Sequence, residues 1–158
     1  MTEVNVHIGE IKIAKKGETL KALLGSCVGI AFLWPQKNVC GLSHCLLPIN
    51  PAPSFAIDGR YVTQAIPSLL ALMKIRPENY PEIHAVVAGG GNMTSPGTNN
   101  SEDLIGAVNF SVAEAEIKKL GIKLIGKDGG GEEGRKIIIF ANNFTFRIDK
   151  IPRITTNK

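Results

Sequence analysis

Apolar residues in this chain come in short runs cut by turn formers. Leu20 to Leu24, Val28 to Trp34 and Val39 to Leu47 are separated by Gly25-Ser26 and by Pro35-Gln36-Lys37-Asn38, and Pro48 closes the last of them. Segments this short, bounded by Gly and Pro, read as strands of an early sheet. The longest unbroken run, Val28 to Trp34, is far short of the roughly 18 residues expected of a membrane span, so no membrane insertion is expected. With 158 residues, 44% of them hydrophobic, the chain suits one globular domain covering residues 1–158. A domain of that size hides roughly two thirds of its unfolded surface and needs no disulfide or metal to hold a core.

Around those runs the pattern alternates between strand and helix. Val4, Val6 and Ile8, then Ile11 and Ile13, follow a period of two whose phase shifts near Gly9-Glu10, which predicts a strand with a bulge or break there. Three prolines fall between residues 48 and 53, predicting a loop from Ile49 to Phe55 that leads to Asp58 as a helix cap. Val62, Ala65, Ile66, Leu69, Leu70 and Met73 lie at helical spacing, with Pro67 kinking that helix or delaying its start. Ile83 to Ala88 reads as a buried strand running into Gly89-Gly90-Gly91, and Met93 to Asp103 as a loop rich in Ser, Thr, Asn and Gly. Phe110, Ala113, Ile117 and Leu120 form the apolar stripe of a second helix that Gly121 stops. Ile122 to Ile125, Lys136 to Phe140 and Phe144 to Ile151 complete the strands, giving an α+β fold class.

Charge and cysteine content narrow the function classes. Eighteen basic and fourteen acidic residues leave a net charge of +4. The basic residues are scattered, aromatic residues make up 6% of the chain, and no nucleic-acid recognition motif is present, which speaks against a nucleic-acid partner. The N-terminus lacks the apolar block of a signal peptide, and three cysteines, an odd number, suit a reducing compartment, so a cytoplasmic location is expected.

The strongest chemical constellation is Gly25-Ser26-Cys27 followed by His44. A cysteine in a turn between two apolar runs can be exposed at a strand's edge while backbone N–H groups of Ser26 and Cys27 point outward, as a nucleophile with an oxyanion hole requires. A nearby histidine raises the thiolate fraction of a thiol whose free pKa is about 8.5. On spacing alone, a buried inert cysteine and a satisfied structural histidine explain the same pair. A zinc site from Cys27, Cys40, His44 and Cys45 is disfavoured by strand geometry: His44 and Cys45 would face opposite ways, while Cys40 and His44 would stand roughly 13 Å apart. Gly129, Gly131 and Gly134 spell a dinucleotide-binding string, but a strand follows them and Glu132-Glu133 would repel a pyrophosphate. A hairpin or bulge is the reading there, and no cofactor is expected.

At Leu24-Gly25-Ser26-Cys27-Val28, followed by Gly41-x-x-His44-x-x-Leu47-Pro48, the chain resembles the CheD family of chemoreceptor glutamine deamidases. The likeness continues through Ile8-Gly9-Glu10, Arg60-Tyr61-Val62, Gly89-Gly90-x-x-Met93, Ile105-Gly106-x-x-Asn109 and Asp128-x-Gly130-Gly131-x-x-Gly134-Arg135. The resemblance implies a three-layer α/β/β single domain, similar to toxins that deamidate glutamine. It implies hydrolysis of glutamine side chains on the cytoplasmic helices of methyl-accepting chemotaxis receptors, with Cys27 and His44 catalytic, no cofactor, and a CheC-type phosphatase as a further partner. One departure stands out. Six positions before the cysteine the family commonly has a hydroxyl residue as third catalytic member, and this chain has Lys21. An ammonium cannot accept a bond from the imidazole N–H, so either Thr19 substitutes by a shift of register or the role passes to a backbone carbonyl. Lys21 also sustains the alternative of a non-catalytic CheD-like module that binds a CheC-type phosphatase or a receptor.

Overall fold

A computed structural model describes residues 2–93 and 104–152. The predicted loop from Met93 to Asp103 lies, beyond Met93, outside the described residues. Among the described residues nine strands form two sheets: β1 (Thr2–Asn5), β2 (Ile11–Lys15), β3 (Glu18–Leu24), β4 (Val28–Trp34), β5 (Val39–Cys45), β6 (His84–Gly89), β7 (Lys123–Gly129), β8 (Gly134–Phe140) and β9 (Thr145–Ile151). A four-stranded sheet runs β1-β3-β8-β9 and a five-stranded sheet runs β2-β5-β4-β6-β7. Helices α1 (Val62–Met73) and α2 (Ile105–Leu120) pack on the outer face of the five-stranded sheet. The result is the expected α/β/β layering.

The central strand β4 explains the layering, since every one of its residues is buried. A strand covered on both faces reads as a continuous apolar run instead of an alternating one. Val28, Ile30, Phe32 and Trp34 face the helices, packing with Ile66, Leu69 and Ile117. Cys27, Ala31 and Leu33 face the other sheet, packing with Leu20, Ala22 and Leu24 of β3 and Ile137 and Ile139 of β8. Leu69 and Ile137 are fully buried, so truncating either to Ala removes about 2–5 kcal/mol of stability.

Three local expectations need correction. The phase shift at Gly9-Glu10 is more than a bulge: β1 and β2 belong to different sheets, and the segment between them carries the chain across the layers. Gly129 to Gly134 is no hairpin, because β7 pairs in parallel with β6 whereas β8 pairs with β3 and β9, so this turn also changes sheet. Asp58 does not cap α1; its carboxylate accepts from the Arg60 amide in an Asx turn, and extended Tyr61 precedes the helix without a side-chain cap. The helix starts at Val62 and runs through Pro67. Gly121 does stop α2, in the left-handed conformation at φ 77°.

Candidate active site

Gly25-Ser26-Cys27 is the step by which the chain leaves β3 in one sheet and enters β4 in the other. All three of its carbonyls are tied down. The Gly25 carbonyl accepts from the Gly91 amide at 2.9 Å and the Cys27 carbonyl from the Gly90 amide at 2.9 Å. The Ser26 carbonyl accepts from Nδ2 of Asn109 at 2.9 Å. This approach demands glycine: a Cβ on Gly89, at φ 106°, would stand 2.3 Å from the Cys27 carbonyl oxygen, and one on Gly90 would stand 2.4 Å from the Gly106 carbonyl in α2. The glycine run thus lets backbone pass between the Gly25-Ser26-Cys27 turn and the first turn of α2.

The turn after β7 supports that run. Arg135, nearly buried, donates from Nε to Asp128 at 3.0 Å and from its terminal nitrogens to the carbonyls of Glu133 and Gly130. The Gly131 carbonyl in turn accepts from the Asn92 amide at 2.7 Å. The string that mimics a nucleotide loop is therefore an arginine-braced turn whose contacts reach toward Cys27.

His44 is placed by sheet register. It lies opposite Gly29 on β4, and Cys27 stands two residues before Gly29, so thiol and imidazole share the face that looks toward the four-stranded sheet. Such diagonal neighbours have backbones on the order of 7–8 Å apart, a gap their side chains can span. Gly29 leaves the place opposite the imidazole without a side chain. His44 Nδ1 is 2.8 Å from the carbonyl oxygen of Val6. A ring nitrogen facing a carbonyl carries the proton, which leaves Nε2 as the basic nitrogen of the neutral ring. The Val6 amide donates to the Lys21 carbonyl at 2.8 Å, the Gly9 amide to the His44 carbonyl at 2.8 Å and the His44 amide to the Glu10 carbonyl at 3.0 Å. The crossing between β1 and β2 thus wraps the histidine.

Thr19 and Lys21 project from the face of β3 opposite to Leu20, Ala22 and Leu24, which fill the layer that holds His44. The Lys21 ammonium donates to Glu3 at 2.8 Å, and its part in the site is the backbone carbonyl that supports Val6. No signal in the side-chain sequence reveals the Val6 carbonyl, since backbone groups are present at every position.

Burial pushes the Cys27 thiol above its ordinary value. It lowers the His44 imidazole below 6.5, outweighing the Val6 bond and the Glu10 charge that act the other way. Near pH 7 the two groups are therefore a neutral thiol and a neutral imidazole. Cys40 and Cys45 are pushed up to about 12 and are fully buried, whereas Cys27 retains 6% exposure. Cys45 faces the helices, and Cys40 lies toward the far end of β5. Among the described residues no three His, Cys, Asp or Glu side chains come together as metal ligands.

Two open grooves flank the pair. One, of about 610 Å³, is lined by Asn5 to Ile8, Lys21 to Leu23 and His44. The other, of about 400 Å³, is lined by Leu23 to Gly25, Met93, Gly134, Ile151 and Pro152. Leu23, 66% exposed, lies between them. The loop after β5 is stitched to α1, where Gln64 donates to the Ala56 carbonyl and accepts from Asn50. It leaves Phe55 fully exposed.

Comparison with known proteins places the chain in a family. The family model described as CheD chemotactic sensory transduction matches residues 46–150. A Ruegeria protein named "Probable chemoreceptor glutamine deamidase CheD 2" is 39% identical over 170 aligned positions, covering 98% of this chain and 95% of its own. A Bdellovibrio bacteriovorus protein named "Probable chemoreceptor glutamine deamidase CheD" is 40% identical over 151 positions, with 96% of each chain covered. A Methanococcus vannielii protein of the same name is 31% identical over 136 positions, covering 86% of this chain and 87% of its own. The family model begins after His44, whereas the Ruegeria and Bdellovibrio relatives align over nearly the whole chain, and the chain belongs to the CheD family.

Proposed function

We propose that this protein hydrolyses the side-chain amide of glutamines on chemoreceptors, converting Gln to Glu with release of ammonia, and that Cys27 and His44 carry the reaction. The observation that carries the reading is the neutral imidazole, its Nδ1 proton held by the Val6 carbonyl, on the same sheet face as a cysteine in a turn with every carbonyl tied. Nε2 takes the thiol proton as Sγ bonds to the amide carbon. The carbonyl oxygen becomes an oxyanion received by the amides of Ser26 and Cys27. His44 then gives that proton to the leaving nitrogen, the C–N bond breaks, and ammonia departs from a thioester. A water deprotonated by Nε2 attacks the thioester, the C–S bond breaks, and glutamate forms as the thiol recovers its proton.

A neutral pair suits this work, because the base and the nucleophile exchange one proton without first separating charge in a buried place. The flanking grooves are open and shallow, which favours a glutamine presented on a protein surface over a free amino acid. Remote contacts along a receptor helix then supply the energy that positions the amide. The receptor's cytoplasmic helices are the partner and the cytoplasm the place of action; a CheC-type phosphatase as second partner rests on the family resemblance. Incubation with a receptor cytoplasmic fragment tests the reading: a gain of roughly 1 Da on target glutamines is expected, and loss of that gain in Cys27→Ala. An unchanged fragment, or one modified equally by Cys27→Ala, defeats it.

A further inference from the structure

Asn109 sits on α2, is fully buried, and donates from one side-chain nitrogen to two backbone carbonyls, Ser26 at 2.9 Å and Leu46 at 3.0 Å. Both partners are acceptors, so only the orientation that presents the NH₂ group satisfies them. Its own Oδ1 is buried without a hydrogen-bond partner among the described residues. A buried amide with an unpaired oxygen is costly to keep, so its value lies in the two bonds its nitrogen makes. One of them reaches across 83 positions of sequence to the residue before the nucleophile.

What that bond controls is a peptide plane. Among the described residues every peptide bond is trans, and in a trans peptide the C=O and the N–H point to opposite sides. Holding the Ser26 carbonyl toward α2 therefore turns the Cys27 N–H away from it. The Gly91 amide does the same to the preceding plane by holding the Gly25 carbonyl, which turns out the Ser26 N–H. Gly91 and Asn109 act from one side, because Gly90 and Gly91 pack directly on Gly106, less than one helical turn before Asn109. Among the described residues neither the Ser26 nor the Cys27 amide donates to a backbone carbonyl. Two free donors thus face away from the braced side at the nucleophile itself. The Leu46 bond ties the same clamp to the end of β5, two residues past His44.

Resting on the deamidase reading, we infer that Asn109 is the positioning residue of the oxyanion hole: it orients the Cys27 N–H by holding the Ser26 carbonyl, without itself touching substrate. Its loss leaves thiol and imidazole in place and removes the preorganisation that stabilises the tetrahedral oxyanion. The signature is a fall in kcat with little change in KM.

The test separates the two roles of the site by chemistry. Alkylation of Cys27 by iodoacetamide forms a C–S bond with loss of iodide and builds no oxyanion, whereas deamidation builds one in each acyl-transfer step. Wild type and Asn109→Ala are compared for deamidation of a receptor fragment and for the Cys27 alkylation rate, read by peptide mass spectrometry. The expected result is a kcat lower by about ten- to a thousandfold, with KM and the alkylation rate within about twofold of wild type. Asn109→Ser, which keeps one donor in a shorter side chain, serves if the alanine variant does not fold and should lie between the two. An unchanged kcat, or an equal fall in deamidation and alkylation, overturns the inference while leaving the deamidase reading intact. A wild-type protein that alkylates but never deamidates overturns both.

Discussion

The two faces of the five-stranded sheet, compared at the end where Cys27 and Cys45 meet, are built from the same residue types to opposite effect. Register pairs Val28 with Cys45, so the two cysteines lie one step apart across adjoining strands. Cys45 turns to the helices, is fully buried, and has its thiol pushed up to about 12. Cys27 turns to the other sheet at the lip of the layer, beside a histidine and a braced turn. Each face also carries a glycine: Gly41 under Leu69 and Met73 on the helix side, Gly29 opposite His44 on the other. The burial and surroundings of a cysteine here follow from the face it turns to, more than from its residue type.

The comparison breaks first on the cysteines. Cys27→Ala or His44→Ala should lower kcat about a thousandfold or more, while Cys45→Ala and Cys40→Ala keep most of the activity and lose about 1 kcal/mol of stability. Comparable loss from Cys45→Ala would erase the distinction between the faces. The glycines sharpen it. Gly29→Ala would bring a methyl to 3.1 Å from Leu24 and 3.3 Å from Ile137, and Gly41→Ala one to 2.8 Å from Leu69 and 3.0 Å from Met73. Each overpacked layer should cost about 1–3 kcal/mol on thermal unfolding. Only Gly29→Ala should also lower kcat of the folded enzyme, because its methyl presses on Leu24, the residue that leads into the Gly25-Ser26-Cys27 turn.

The pH profile reads the charge state of the reactive pair. Since burial lowers the His44 pKa below 6.5, kcat/KM should hold as the pH falls past 6.5 and then drop tenfold per unit. An acid limb centred above 6.5 would mean that burial does not depress the imidazole. Stability moves in the same direction. The unfolded chain binds the proton at 6.5 and the folded one resists it, so stability falls as the pH drops from about 6.5 toward the folded value and levels below it. His44→Gln should flatten that slope. The smallest effect belongs to Lys21→Thr: with the imidazole held by the Val6 carbonyl, the rate should stay within about threefold of wild type. A tenfold change either way would give the Lys21 side chain a role that its bond to Glu3 does not explain.

Strand positions were legible because β3, β4 and β5 are bounded by turn formers and β4 is apolar on both faces. Sheet membership was not. Gly9-Glu10 and Gly129 to Gly134 carry ordinary turn chemistry, and whether such a turn returns a strand beside its predecessor or sends it to another layer is decided by partners far away in sequence. Asp58 shows the local limit, since an Asx turn and a helix cap draw on the same side-chain acceptor. Within the site, Cys27 and His44 stood out by type and spacing. The Val6 carbonyl did not, and neither did the duty of Asn109, whose partners lie 83 and 63 positions away.

The order in which these parts leave the ribosome gives that long reach a meaning in time. The Cys27 thiol is made before α2, and the side chain that holds its turn follows 83 positions behind Ser26. At roughly 5–20 residues per second that is a delay on the order of 4–17 s. Until Asn109 is made, the growing chain carries the Cys27 turn without its side-chain clamp. The turn is fully braced only when α2 docks, so with Asn109 as the positioning residue full kcat waits for the fold to close.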